Sequence, residues 1–348
     1  MSLAAYQGMR VLVTGGLGFI GSNLALRLEE LGASVTVVDS LVAGCGGNRA
    51  NLAGSGVRVI EADLSEPAAI EEALARAQVV FNLAGEISHI HSMEYPERDL
   101  HLNTLSQLRF LDACRRVNRG VRIVYAGTRQ TFGRPRYLPV DEQHPIRPID
   151  FNGVHKYAAT MYHLMMSELG ELDAMVLLLT NVYGPRMSLN IAGQGFLGVF
   201  FRKALLGEPL AVYGDGEQLR DPVYVDDVAE AFLLAGVAHG CVEREYNIGG
   251  AEPLMLREIA EEIGGEARRV PFPAHLQPID IGSYYTDSRR AERVLGWRPR
   301  TSFGEGVRRT MDFYRLWFAA YLDPQEELRR ELPEHAGIRR RLEFTISR

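Results

Sequence analysis

Gly15, Gly18 and Gly21 punctuate the run Gly15-Gly16-Leu17-Gly18-Phe19-Ile20-Gly21, and an acid, Asp39, stands eighteen residues past the last of them. Glycine carries no Cβ, so backbone at such a turn can lie against a diphosphate, and the N–H groups of a following helix start can donate to it. A carboxylate about 20 residues further on is spaced to accept hydrogen bonds from a ribose. The chemistry predicted is dinucleotide binding, with Gly15, Gly18, Phe19, Ile20, Gly21 and Asp39 as cofactor residues. An acid at position 39 repels a 2′-phosphate, which predicts NAD as the cofactor over NADP.

Such a cradle works only between a strand and a helix, and the flanking sequence supplies both. Met9 to Val13 is an apolar run that reads as a buried strand. Ser22 to Leu31 reads as a helix with Leu24, Ala25, Leu28 and Leu31 on one face. Ser34 to Val38, leading into Asp39, reads as the second strand. Strand-like segments then recur at 57–61, 78–83, 121–126 and 174–180, with helical periods at 67–77, 96–117 and 152–169 between them. This alternation predicts a doubly wound α/β fold of Rossmann type, a parallel sheet with helices on both faces. Beyond Thr180 the segments shorten and Gly and Pro punctuate them. The expected organisation is a cofactor-binding domain over 1–180, with returns to the sheet at about 221–250. A smaller substrate lobe is expected over 181–320, closing over the strand C-termini, and a charged tail over 321–348.

Composition narrows the function classes. The net charge of −6 and the absence of a basic stripe speak against a nucleic-acid partner. No apolar run reaches the ~18 residues of a membrane span, and the N-terminus lacks a secretory apolar core. Cys45, Cys114 and Cys241 are odd in number and far apart, the pattern of reduced cytoplasmic thiols with no disulfide or metal framework.

Taken together, TGGLGFIGSN (14–23), VVDS (37–40), NLAG (82–85), GTRQTFG (127–133), NVYGP (181–185) and GDGEQLRDPVYVDDVAEAF (214–232) resemble the extended short-chain dehydrogenase/reductases that act on nucleotide sugars, over roughly residues 9 to 315. The resemblance implies Asp63 and Leu64 beside the adenine, Leu83 and Ala84 along the nicotinamide, and Asn103 near the cofactor. It implies Lys156 on the nicotinamide ribose, Thr128 on the reacting sugar hydroxyl, and Asn181 and Arg220 on the pyrophosphate of the substrate. It also implies a homodimer built on two long helices, and Leu102, Leu105, Leu108, Tyr162, Leu164 and Met165 are available either for that interface or for the core. The shared chemistry of the family is transient oxidation: a base takes a hydroxyl proton while the carbon gives its hydride to the cofactor.

Three departures from the family pattern bear on that chemistry. The family's base is the tyrosine of Tyr-x-x-x-Lys, and here the register gives Asn152-Gly153-Val154-His155-Lys156. An amide does not titrate near neutral pH. His155, Glu86, His89 and His91 are the candidate replacements, the last three also as sugar ligands, and a relay through Thr128 and Lys156 is the other route. The residues after Thr128 are Arg129 and Gln130, where dehydratases of the family carry an acid pair and decarboxylases a glutamate. Gln277 stands where many relatives have an arginine on the pyrophosphate.

The expectation is therefore an NAD-dependent epimerase working at C4 of a UDP-hexose or UDP-hexuronate, with catalytic residues drawn from Thr128, Lys156, Asn152 and His155 and no metal. The alternatives are a 4,6-dehydratase or decarboxylase with rearranged acid/base groups, and a catalytically silent protein that binds NAD and a nucleotide.

Overall fold

The computed structural model describes residues 2–189, 195–274 and 276–322. Of the charged tail expected over 321–348, residues 321 and 322 end the last helix and the rest lies outside the described residues. Seven parallel strands form the main sheet: β1 (Arg10–Thr14), β2 (Ser34–Asp39), β3 (Arg58–Glu61), β4 (Val79–Asn82), β5 (Arg122–Thr128), β6 (Asp173–Leu179) and β7 (Glu245–Ile248). Their order is β7-β6-β5-β4-β1-β2-β3. β4 is buried along its whole length, as a central parallel strand covered on both faces must be.

The helices between the strands are α1 (Phe19–Glu30), α2 (Glu71–Arg76), α3 (His89–Glu94), α4 (Pro96–Leu100), α5 (Ser106–Val117) and α6 (Phe151–Glu168). After β6 come α7 (Phe196–Leu206), α8 (Val225–Gly236), α9 (Leu256–Ile263), α10 (Arg289–Leu295) and α11 (Phe303–Leu322). Side chains alternate across each strand, so Val11 and Val13 face one way and Leu12 the other. The first face packs with Phe81, Val124 and Leu177 under Leu24 and Leu28 of α1 and Phe232 of α8. The second packs with Val80 and Ile123 under Phe110 and Leu111 of α5 and Met166 of α6.

Residues 183–321 add a separate core around Tyr183, Phe200, Phe201, Ile259, Phe303 and Tyr314. Short strand pairs frame it: Leu210–Tyr213 beside Ala267–Val270, and Leu219–Arg220 beside Leu254–Met255. α8 and β7 belong to the main sheet although they come late in the chain.

Three helices differ from the sequence expectation, and the one expected over 67–77 is a 3-10 turn, Pro67–Ile70, followed by the short α2. The first helix starts at Phe19, not Ser22, because Gly18 already takes the N-cap position. The segment expected as one helix from Pro96 to Val117 is α4 and α5 joined through a π-helical turn, His101–Leu105. Such turns carry one extra residue and re-aim the side chains on them, and this one carries Asn103.

Candidate active site

β1 has β4 on one side and β2 on the other, so the chain leaves its C-terminal end in opposite directions and a crevice opens there. A cavity of about 300 Å³ occupies it. One end is lined by Gly15, Gly18, Phe19, Ile20, Gly21 and Asp39, with Asp63 and Leu64 beyond them. Gly15 has φ +64, and a Cβ there would stand 2.8 Å from the carbonyl carbon of Leu83. A Cβ on Gly21 would stand 2.3 Å from the carbonyl oxygen of Gly15. The glycines therefore keep the turn tight and leave N–H groups of α1 facing open space. Asp39 stiffens the same turn, accepting from the N–H of Leu17 at 3.1 Å and of Leu41 at 2.9 Å. Burial pushes its carboxyl up from the ordinary value, and these two hydrogen bonds act against that.

The floor is the end of β4. Thr14 donates to Asn82 Oδ1 at 2.7 Å, and Asn82 Nδ2 donates to Gln107 Oε1 at 2.7 Å and meets His163 Nε2 at 3.1 Å. Burial pushes His163 down to about 4, so the ring is neutral. Its Nδ1 lies 2.8 Å from the Ala159 carbonyl and must carry the proton, leaving Nε2 as acceptor for Asn82. This satisfied chain fixes Leu83 and Ala84, which line the cavity. Gly85 follows with φ +152, and a Cβ there would stand 2.5 Å from Asn103 Oδ1 and 3.3 Å from Lys156 Nζ. The Asn103 amide is buried with neither end hydrogen-bonded to a described residue. Groups of that kind call for a ligand.

The other end holds the reactive groups. Thr128, Arg129, Gln130, Asn152, Lys156, His89 and Asn181 line it. Thr128 accepts from the N–H of Gln130 at 3.3 Å and caps a short turn, Arg129–Phe132. Asn152 and Lys156 share a face of α6, one turn apart. Lys156 is 6% exposed, its ammonium 5.9 Å from the Tyr125 ring centre. Burial pushes its pKa down, and the charges of Asp99 and Glu86 oppose that. Both protons of Asn152 Nδ2 are spent, one on the Glu86 carbonyl at 3.0 Å and one on Asp99 Oδ2 at 2.9 Å. Asn152 therefore has only its Oδ1 to offer a ligand, as an acceptor.

His155 and Glu86, two of the residues expected on the site, are not on the cavity wall. His155 turns away on α6 and places Nδ1 2.7 Å from Asp99 Oδ1. Glu86 is 2% exposed, accepting from the N–H groups of Ile87 and Ser88 and from the Cys45 thiol. Arg220 also sits off the wall, its Nη1 donating to the carbonyls of Leu219 at 2.7 Å and Gly282 at 2.6 Å. His89 is on the wall. Burial first, then the charges of Arg129 and Arg220, push it down to about 4, so it is unprotonated at neutral pH.

Asp99 is the residue that sequence reading missed. It lies in a Pro-Glu-Arg-Asp-Leu helix start that reads as solvated, and only the fold carries it 1% exposed beneath Asn152 and His155. Asp221, next to Arg220, is a second buried acid. Burial pushes it up to about 7, against Arg129 and the N–H of Thr286, and its Oδ1 has no partner among the described residues. A carboxyl whose folded pKa is raised loses stabilisation as pH climbs from about 4 through 7. Asp221→Asn should therefore gain on the wild type in urea-unfolding midpoint between pH 5 and pH 8. An equal difference at both pH values would mean that Asp221 does not titrate in this window.

Among the described residues no helix is long and apolar enough to cross a membrane, and no group of three or more His, Cys, Asp or Glu is placed to hold a metal. The model of the NAD dependent epimerase/dehydratase family matches residues 11–249. The UDP-glucose 4-epimerase of Mycolicibacterium smegmatis is 33% identical over 314 residues, covering 88% of this chain and 99% of that protein. UDP-glucuronic acid decarboxylase 1 of Xenopus tropicalis is 31% identical over 316 residues, covering 88% of this chain and 72% of that protein. The crystal structure of the Thermotoga maritima UDP-glucose 4-epimerase with UDP-glucose superposes with a TM-score of 0.80 at 31% identity, covering 89% of this chain and all of that one. A glycine cradle closed to a Cβ at Gly15 and Gly21, an acid at its rim and the orphaned amide of Asn103 against Gly85 fit the dinucleotide this family uses, and the chain belongs to the NAD dependent epimerase/dehydratase family.

Proposed function

We propose that the protein is an NAD-dependent nucleotide-sugar epimerase that transiently oxidises a sugar hydroxyl, at C4 of a UDP-hexose or UDP-hexuronate. The observation that carries this is the make-up of the reactive end. Thr128 and Lys156 share one wall, and the two residues after Thr128 are Arg129 and Gln130, neither able to donate and accept a proton at neutral pH. Elimination needs such groups beside the reacting carbon, and epimerisation does not.

NAD, when bound, supplies the acceptor for the substrate hydride and returns it. Gly15 to Gly21 and Asp39 hold its phosphates and adenosine ribose, and Lys156 and Asn103 hold the nicotinamide ribose. Thr128 donates its hydroxyl hydrogen to the oxygen of the reacting hydroxyl, and Asn152 Oδ1 accepts from a second hydroxyl of the sugar. His89 is the titratable group left on this wall in its basic form, and we assign it the hydroxyl proton. An anionic group of the bound substrate beside Arg129 would cancel part of the charge that weakens it as a base.

Purified protein incubated with UDP-glucose, UDP-glucuronate and their N-acetylated relatives should convert at least one of them to its C4 epimer. His89→Gln should lower that turnover ~10²–10⁴-fold while NAD affinity holds. A new 4-keto-6-deoxy sugar or pentose as the product would favour the dehydratase or decarboxylase reading. Binding with no conversion of any sugar would favour the silent protein, for which the missing tyrosine is the argument.

The same reading makes the protein a cytoplasmic homodimer. Leu105, Leu108, Met161 and Met165 form an exposed apolar strip across the π-turn, α5 and α6, and Leu102, Tyr162 and Leu164 are half-buried beside it. All three cysteines are free thiols, in keeping with a reducing compartment.

A further inference from the structure

We propose that Arg129 receives a carboxylate carried by the sugar, so that the substrate is a nucleotide-linked hexuronate and not a neutral hexose. This rests on the nucleotide-sugar reading above.

Arg129 leaves the C-terminal end of β5 directly after Thr128 and lines the reactive end of the cavity. Its guanidinium carbon lies 4.9 Å from the centre of the Tyr284 ring. Stacking covers one face of the guanidinium plane and leaves its in-plane N–H edges free. Among the described residues none of those donors makes a hydrogen bond or an ion pair. Asp221, Asp150 and Asp280 act on Arg129 only through space. Tyr284 is itself held, its N–H donating to the Leu219 carbonyl at 3.0 Å, so the platform under the guanidinium is rigid. Burial lowers the Arg129 pKa, the sign of a cation kept in poor solvation.

Arg129 is half-buried with unspent donors, and an anionic ligand completes its hydrogen bonding. The cofactor's diphosphate does not supply the anion, because the glycine turn that holds it lies across the cavity at the end of β1. On the cavity wall Arg129 has Thr128, Gln130 and His89 beside it, at the end proposed for the reacting sugar, and Arg220 acts on it as a second cation. A carboxylate matches the guanidinium fork in two parallel hydrogen bonds, whereas a neutral hydroxymethyl group leaves the charge unanswered. Arg129 is thus a specificity-determining residue for a sugar oxidised at C6.

The test is calorimetric titration of the NAD-loaded protein with UDP, UDP-glucose and UDP-glucuronate. Wild type should bind UDP-glucuronate about 10-fold or more tightly than UDP-glucose. Arg129→Gln should remove that preference and leave the affinities for UDP and NAD unchanged, and Arg129→Lys should keep only part of it. Equal binding of the two sugars by wild type overturns the inference. So does a loss in Arg129→Gln that is as large for UDP as for UDP-glucuronate, because the guanidinium would then serve the diphosphate. A wild type that binds NAD but neither UDP nor any UDP-sugar overturns the nucleotide-sugar reading, and this inference with it.

Discussion

Lys156→Met is expected to cut turnover by ~10²–10⁴-fold while the protein stays folded. Methionine keeps most of the apolar stem of lysine and removes the charge with its three donors. In the structure that charge is buried at the reactive end of the cavity, and burial disfavours it. Replacing it should therefore leave thermal stability equal or higher, which separates a functional loss from a folding one. The measurement is single-turnover appearance of reduced nicotinamide, alongside NAD affinity. Asn152→Ala is the paired control. It strips Asp99 of one donor and should lower stability by about 1–3 kcal/mol, yet cost far less rate than Lys156→Met, because the amide carries no proton in the reaction. If Asn152→Ala, folded and NAD-bound, were as dead as Lys156→Met, the amide would be an obligatory participant and the role given to it here would be wrong.

Gly21→Ala should weaken NAD binding by ~10–100-fold or more. Its new Cβ would stand 2.3 Å from the carbonyl oxygen of Gly15 and 2.9 Å from Cα of Gly16. Both obstacles are backbone atoms of the turn, so relief comes only by shifting the turn or the start of α1. At Gly18 the only atom inside 4 Å of an added Cβ is the Gly15 oxygen, at 3.1 Å, and φ there is −75°, open to any residue. Gly18→Ala should accordingly be several-fold milder. Titration of NAD into both variants decides the order. Equal losses would show that the diphosphate, and not the turn's own packing, sets the need for glycine.

The cofactor half of the site was legible in the sequence because it rests on local rules. A glycine turn, a strand and an acid at a set spacing are contiguous in the chain, and Gly15, Gly21, Asp39, Asp63 and Leu83 all reach the cavity wall. The substrate half is assembled from β5, α3, α6 and the segment around Tyr284, which no local pattern joins. His155 looked close to the reactive face because it stands three residues after Asn152, but it also sits one residue before Lys156. One residue on an α-helix is a rotation of ~100°, and that carries it to Asp99 instead. Glu86 followed the strand end as expected, but its carboxylate folds back onto the N–H groups of Ile87 and Ser88. The π-turn escaped for another reason. A single extra residue in a helix leaves the apolar period nearly intact, although it decides where Asn103 points.

The late placement of α8 and β7 matters during synthesis. Strands β1 to β6 are complete by Leu179, yet β6 keeps an unpaired edge until Glu245–Ile248 has left the ribosome. Until α8 emerges, the face that carries Phe81 and Leu177 lacks the cover that Phe232 and its neighbours provide. An open edge on an apolar parallel sheet is a template for another nascent chain. The first 180 residues are therefore not a detachable cofactor module. Translation must run well into the second core before the first is safe from its neighbours on the same polysome.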